Sequence, residues 1–176
     1  MRWWVLLSLG VVGCSSMFQP TPKRSEVCKC SITPAAFMSA DNNMGVPDQA
    51  LGFSNPFSEL YILVEAVPNG DLAPMANSTL LTNIVNGAPA ALSSEPIVFG
   101  ELHGREWASI VAVEPIPGGL RAKKRYLAVN SGENLIIAQA WTLENRWGTH
   151  ESTIDTMLMS LTWDAVTQDK DGEGAP

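Results

Sequence analysis

The sequence predicts an α+β fold in which a largely antiparallel β-sheet is packed by two or more helices. Three observations support this class. A compact strand-like run precedes an amphipathic helical segment, several strand-like runs separated by turn residues follow it, and a second amphipathic segment closes the domain. Strands joined by short turns pair antiparallel, and helices placed before and after them cover the sheet. The predicted order is therefore strand, helix, antiparallel strands, helix.

The first strand and the first helix are predicted in the middle of the chain. Apolar residues occupy both faces of residues 60–66, so this strand is expected to be covered on two sides, and Pro68-Asn69-Gly70 ends it. Asp71 is typical of a helix N-cap, and Gly87 stands where a helix commonly ends. Apolar side chains recur between them at helical spacing: Leu72, Ala76, Leu80, Leu81, Ile84 and Val85.

The second half of the chain predicts antiparallel strands and a closing helix. Pro117-Gly118-Gly119 and Asn130-Ser131-Gly132-Glu133 are turn sequences, and the second is expected to join a hairpin. Thr149 predicts the N-cap of the closing helix, with Glu151 in its first turn. The strand-like runs cover residues 97–102, 107–113, 121–129 and 135–143. The apolar face of the closing helix consists of Ile154, Met157, Leu158 and Leu161.

The N-terminus has the pattern of an export signal. Arg2 precedes an apolar run over residues 3–12, and Val12-Gly13-Cys14 follows. This resembles the lipobox of bacterial lipoproteins, in which the cysteine thiol receives a diacylglyceryl group, cleavage occurs before the cysteine, and the new amine is acylated. The resemblance implies that Cys14 is the mature, lipid-bearing N-terminus, because several acyl chains anchor stably. The alternatives are an ordinary secretory signal or a buried N-terminal segment, in either of which Cys14 is incidental.

These features divide the chain into a lipoprotein signal peptide (1–13), a lipidated tether (14–27), an α+β domain (28–164) and a disordered acidic tail (165–176). The expected location is the cell envelope, attached by lipid, and the outer membrane if the organism is Gram-negative.

Composition excludes one class of partner. The net charge is −7 and the pI is about 4.7, whereas nucleic-acid binding requires concentrated positive charge. We therefore expect no nucleic-acid partner.

Cys28 and Cys30 are the cysteines left after lipidation of Cys14. They allow a disulfide, although a bond across one intervening residue closes a tight ring. Free thiols and an intermolecular bond remain alternatives. A metal site would need further ligands, and His103 and His150 stand at no typical ligand spacing, so we predict neither metal nor cofactor.

Two surface features are candidates for partner contact. Arg121, Lys123 and Arg125 would share one face of a strand, as a docking stripe for an acidic partner or as an ordinary solvated face. Trp147 lies in a predicted loop, where an exposed indole would indicate a contact site. His103 with Glu106 and Ser109 raises a hydrolase hypothesis, but no nucleophile motif surrounds them, so we predict no enzyme.

The order of elements resembles the PsbP/DcrB-like superfamily. The segments that carry the resemblance are Gly100–Trp107, Arg125–Val129, Asn134–Trp141 and Ile154–Trp163. The resemblance implies a PsbP-like α/β sandwich and a non-enzymatic role, because members serve as accessory subunits, envelope lipoproteins or adaptor chaperones. The leading hypothesis is thus a membrane-anchored accessory subunit that binds another envelope protein. The alternative is a small-molecule or lipid carrier with a cavity between helix and sheet.

Overall fold

A computed structural model describes residues 20–47, 49–57, 59–68, 77–87 and 91–164 of the chain. The strands and helices, in chain order, are β1 (Lys23–Ser25), β2 (Cys30–Ile32), β3 (Ser39–Ala40), β4 (Gln49–Ser54), β5 (Leu60–Pro68), α1 (Asn77–Gly87), β6 (Ser93–Ser94), β7 (Val98–Leu102), β8 (Arg105–Ile116), β9 (Leu120–Asn130), β10 (Asn134–Leu143), α2 (Trp147–Met159) and β11 (Thr162–Trp163). A short 3-10 turn, Glu144–Arg146, leads into α2.

The strands form two sheets. The larger has eight strands in the order β3-β4-β5-β10-β9-β8-β6, with β7 also paired to β8, and the smaller has the order β1-β2-β11. Every strand pair described in either sheet is antiparallel. The predicted antiparallel architecture is therefore confirmed.

The predicted hairpin is also confirmed. Strands β9 and β10 pair with Leu135 opposite Asn130, and the Ser131 amide donates to the Asn134 carbonyl at 2.9 Å. A second hairpin joins β7 to β8 through His103 and Gly104, whose φ angles are 50° and 75°. Two consecutive positive φ values are the geometry of a tight hairpin turn, which glycine adopts without strain.

The two faces of the large sheet bury different clusters, because successive side chains on a strand point to opposite sides. Helix α2 contacts β9 and β10 on one face, where Val111, Leu127 and Ile136 belong to the larger cluster. Helix α1 contacts β8 and β9, where its Leu80 packs with Ile110 and other residues of the smaller cluster. The large sheet therefore carries apolar packing on both faces.

The predicted apolar face of the closing helix is buried. Ile154, Met157, Leu158 and Leu161 are each exposed by 1% or less and belong to the larger cluster. The prediction is confirmed for Ile154, Met157 and Leu158, which helical spacing places on the side facing the sheet. Leu161 is buried as predicted but lies beyond the end of α2 at Met159.

The predicted start of that helix is wrong. Helix α2 begins at Trp147, two residues before Thr149, so Glu151 lies beyond its first turn. The physical reason is the preceding 3-10 turn: Arg146 already has helical backbone angles, φ −103° and ψ −5°, and the chain enters α2 without an extended capping residue.

At its N-terminal end the fold includes residues assigned above to the tether. Strand β1 starts at Lys23 and pairs with β2, so ordered structure precedes Cys28. Four predictions fall outside the described residues: lipidation at Cys14, the signal peptide, the helix N-cap at Asp71 and the disordered tail 165–176. Among the helices that are described, none is long and apolar enough to cross a membrane.

Candidate functional site

The candidate site is a groove along β8, on the face of the sheet that α2 partly covers. Two cavities of about 470 and 160 Å³ share Glu95 and Val111 in their walls, so we treat them as one groove, the β8 groove. The segment Ser93–Val98 forms one wall, and α2 forms the other through Trp147 and Met159 at its two ends. Helix α2 lies over β9 and β10, and this placement leaves space above β8, beside the helix.

The floor of the β8 groove is largely apolar, with the polar side chain of Ser109 between Trp107 and Val111. Val111 and Val113 of β8 lie at the larger cavity, and the indole of Trp107 lines the smaller one. The indole of Trp107 lies directly against Gly100 of the paired strand β7. A Cβ atom added to Gly100 would lie 2.4 Å from the indole ring. Gly100 therefore makes the close approach of this indole to β7 sterically feasible.

Trp147 was expected to be an exposed contact residue, and that expectation is wrong. The residue is only 6% exposed and belongs to the larger buried cluster. Lys123 Nζ lies 5.0 Å and Arg125 Cζ 5.9 Å from its ring centroid, which is within cation–π range. The reason is again the early start of α2, which makes Trp147 a helical residue turned toward the sheet instead of a loop residue.

The predicted basic stripe lies on one face of β9, where Lys123 and Arg125 are largely covered and Arg121 stays exposed. Each of its three cations is paired with an acid on a neighbouring segment. The pairs are Arg121 with Glu144 at 3.7 Å, Lys123 with Glu95 at 2.9 Å, and Arg125 with Asp155 and with Glu151, the last at 3.8 Å. Alternation along the strand directs these side chains to one face of the sheet. There α2 supplies Glu151 and Asp155 to Arg125, while Glu144 and Glu95 come from segments outside α2.

Buried donors concentrate at the β8 groove. Among the described residues, Trp107 Nε1, Trp147 Nε1 and Arg125 Nε are buried and make no hydrogen bond within the protein, as is also true of Thr142 Oγ1. The first three belong to residues that line the groove. Buried polar groups are usually paired, so this concentration distinguishes the groove from the rest of the core. No local sequence pattern predicts this site, because Trp107, Trp147 and Arg125 come from three separate elements.

The opposite face of the sheet contains a paired polar group. The Tyr126 hydroxyl donates a hydrogen bond to the buried Glu114 carboxylate. The same carboxylate forms an ion pair with Lys124, with Nζ 2.8 Å from Oε2. Burial, and then the hydrogen bond to Glu114, raise the pKa of Tyr126 well above its ordinary value. Each member of this cluster has a partner, so the cluster is explained as structure.

Cys28 and Cys30 form a disulfide in the structure, and both side chains are buried in the larger cluster. The intervening Lys29 has a positive φ of 48° and its ammonium pairs with Glu133 at 2.8 Å. The tight ring is thus accommodated by a left-handed residue whose side chain points to solvent.

The residues of the hydrolase hypothesis do not converge. His103 is exposed in the β7–β8 turn, where its ring meets Trp163 edge-on at 5.6 Å. Glu106 and Ser109 are three residues apart on β8, so they point to opposite faces of the sheet. In the part of the chain that the structure describes, no three His, Cys, Asp or Glu side chains are grouped as metal ligands.

Comparison with known proteins shows the fold but no sequence family. Neither a scan against protein-family models nor a search of curated protein sequences finds a match. Among solved structures, the cyanobacterial PsbP protein CyanoP from Synechocystis sp. PCC 6803 is similar, with TM-score 0.62 and 13% identity, over 89% of this chain and 99% of that one.

Two further structures are similar. LpqN, described as involved in cell envelope biogenesis of Mycobacterium tuberculosis, has TM-score 0.59 and 13% identity, over 82% of this chain and 90% of its own. The Ran-binding protein Mog1p from Saccharomyces cerevisiae has TM-score 0.55 and 6% identity, over 82% and 95%. At such low identity these similarities concern architecture alone. The chain therefore has a PsbP-like fold.

Proposed function

We propose that the protein is a lipid-anchored lipoprotein of the cell envelope that acts as a non-enzymatic binding or accessory subunit. The observation that carries this proposal is the apolar run ending in Val12-Gly13-Cys14, followed within about ten residues by the first strand of a folded domain. A lipid on Cys14 would hold the domain close to the membrane surface through a short polar segment.

The disulfide supports export. Cys28 and Cys30 form a buried disulfide. Disulfides persist in oxidising compartments and are rare in the cytosol. The similarity of fold to LpqN, which is involved in cell envelope biogenesis, and to the Ran-binding Mog1p is compatible with a binding role in the envelope.

The surface that we propose for a protein partner is the outer edge of β7. This strand pairs with β8, and no second strand neighbour is described for it. Its Phe99 is 47% exposed. An open strand edge with an exposed aromatic side chain suits a partner that adds a strand, because its backbone can complete the pairing while the ring supplies apolar contact. This surface replaces Trp147 and the basic stripe, which the fold buries or pairs.

Membrane attachment is tested by fractionating cells and identifying the N-terminal peptide by mass spectrometry. We expect a lipid-modified Cys14 peptide in the membrane fraction and its loss in Cys14→Ser, whereas Ser15→Ala, one residue away, should retain it. Recovery of intact Met1 or of an unmodified Cys14 in the wild-type membrane fraction would contradict the anchor.

Partner binding is tested by cross-linking in intact cells and purifying the chain with its attached proteins. Phe99→Glu should remove a cross-linked partner that Phe57→Glu retains, because Phe57 is 81% exposed but lies in the turn before β5. Equal loss or equal retention in the two variants would contradict the β7 surface.

A second candidate function is that of a small-molecule or lipid carrier, and the β8 groove favours it. Its larger cavity of about 470 Å³ falls within the range of about 300–1,000 Å³ that is typical of ligand pockets.

A further inference from the structure

We infer that the β8 groove binds a single acyl chain whose head group is uncharged and rich in hydrogen-bond acceptors, such as an ester or an amide. This inference rests on the carrier function proposed above and adds the chemical class of the ligand. It follows from three properties of the groove: its unpaired donors, its balanced charge and its apolar rim.

The unpaired groups define the head group. Trp107 Nε1, Trp147 Nε1 and Arg125 Nε are all N–H donors, and none has an acceptor among the described residues. Trp147 is more than nine-tenths buried, so solvent reaches its indole poorly. A ligand that satisfies these groups must bring oxygen acceptors, because an N–H donor gains nothing from another donor.

The charge balance favours an uncharged ligand. The ionisable residues that line the two cavities are Lys123 and Arg125 on one side, and Glu95 and Glu144 on the other. Both cations are already paired, and Arg125 faces the additional acid Asp155 from α2. A free carboxylate or phosphate would have to displace these acids and would lie among like charges. A neutral carbonyl accepts from the same donors without that repulsion.

The rim of the groove suits an acyl chain. Val98 and Met159 line the smaller cavity from its two walls, and each is substantially exposed, at 57% and 37%. Between them the floor is formed by Val111 and the ring of Trp107, with the smaller side chain of Ser109 between these two. Exposed apolar side chains at such a rim are stabilised when hydrocarbon shields them from water. The acyl tail of the ligand would supply that hydrocarbon.

The test uses the full chain in its native membranes and three photoreactive probes with the same long hydrocarbon and a terminal diazirine. The first carries a methyl ester, the second a free carboxylate and the third no head group. We expect the ester to label peptides containing Val98 or Met159 saturably, and to do so more strongly than either other probe.

Variants locate the binding. Val98→Glu, which places a carboxylate on the rim, should lower ester labelling about tenfold, the change produced by roughly 1.4 kcal/mol. The matched control is Leu120→Glu, a comparably exposed aliphatic residue at the start of β9 outside the groove lining, which should leave labelling unchanged. Trp107→Phe retains an aromatic floor but removes one donor, and it should reduce the preference for the ester over the head-less probe.

Several outcomes overturn the inference. Labelling of the groove by the free carboxylate as strong as by the ester would show that the head group is not the uncharged one argued here. Absence of saturable groove labelling by all three probes would remove the carrier function as well. Equal loss in Val98→Glu and Leu120→Glu would show that labelling does not depend on the groove. Membrane fractionation of the same samples reports the lipid anchor separately.

Discussion

Truncation of Leu158 to alanine is the sharpest test of the packing between α2 and the large sheet. The side chain is fully buried in the larger cluster, on the same helical face as Ile154. Leu158→Ala removes roughly three methylene equivalents, which cost about 2.4 kcal/mol at about 0.8 kcal/mol each. The cavity left behind adds to this, giving a total loss of about 2.5–5 kcal/mol.

That loss is large against the roughly 5–15 kcal/mol that stabilises a domain. For a domain of this size it corresponds to a fall in melting temperature of about 10–20 °C, at about 4 °C for each kcal/mol. The measurement is thermal denaturation followed by circular dichroism on the chain purified in mild detergent.

The matched control is Met159→Ala, at the next residue of the same helix. Met159 is 37% exposed and faces the rim of the β8 groove, so its truncation should cost about 1 kcal/mol or less. If Leu158→Ala and Met159→Ala lower the melting temperature equally, α2 does not pack through the face described here, and the assignment of the core is refuted.

Two further predictions concern buried side chains. Trp147→Ala should destabilise the domain by about 3–5 kcal/mol, because the indole is buried in the core. A melting temperature within about 2 °C of wild type would instead support the sequence-based prediction that Trp147 is an exposed contact residue. Tyr126 has a raised folded pKa, so its contribution to stability is present below its ordinary pKa of 10.0 and is lost as the pH rises above it, when ionisation favours the unfolded state. Urea unfolding at pH 8 and pH 11 should therefore show a larger loss of stability in wild type than in Tyr126→Phe, and equal losses would contradict this account.

The sequence alone predicted those elements whose signals are local. Alternating or continuous apolar runs identified β5, β8, β9 and β10, and the turn Asn130-Ser131-Gly132-Glu133 defined the register of the β9–β10 hairpin. The spacing of Ile154, Met157 and Leu158 identified the buried face of α2. Local signals suffice here because strand alternation, turn chemistry and helical periodicity each depend on neighbouring residues.

Local signals failed at the start of α2. Thr149 is a good capping residue, yet the 3-10 turn Glu144–Arg146 continues directly into the helix, so α2 begins at Trp147. A shift of two residues moves Trp147 from a solvent-facing loop into the core. Packing against the sheet decided this boundary over capping preference, which contributes only about 1 kcal/mol.

Only the tertiary structure decided where the candidate site lies and what charge it carries. The basic residues Arg121, Lys123 and Arg125 look like a free stripe in the sequence, because their acidic partners are as distant as Glu95 and Asp155. The β8 groove exists because α2 covers β9 and β10 but leaves space above β8, while Ser93–Val98 returns along the other side. Its walls come from segments that are far apart in the chain, and no local periodicity encodes which of them meet. By contrast, the lipobox-like Val12-Gly13-Cys14 is a prediction from the sequence alone, since processing enzymes recognise a short linear segment and not a folded surface.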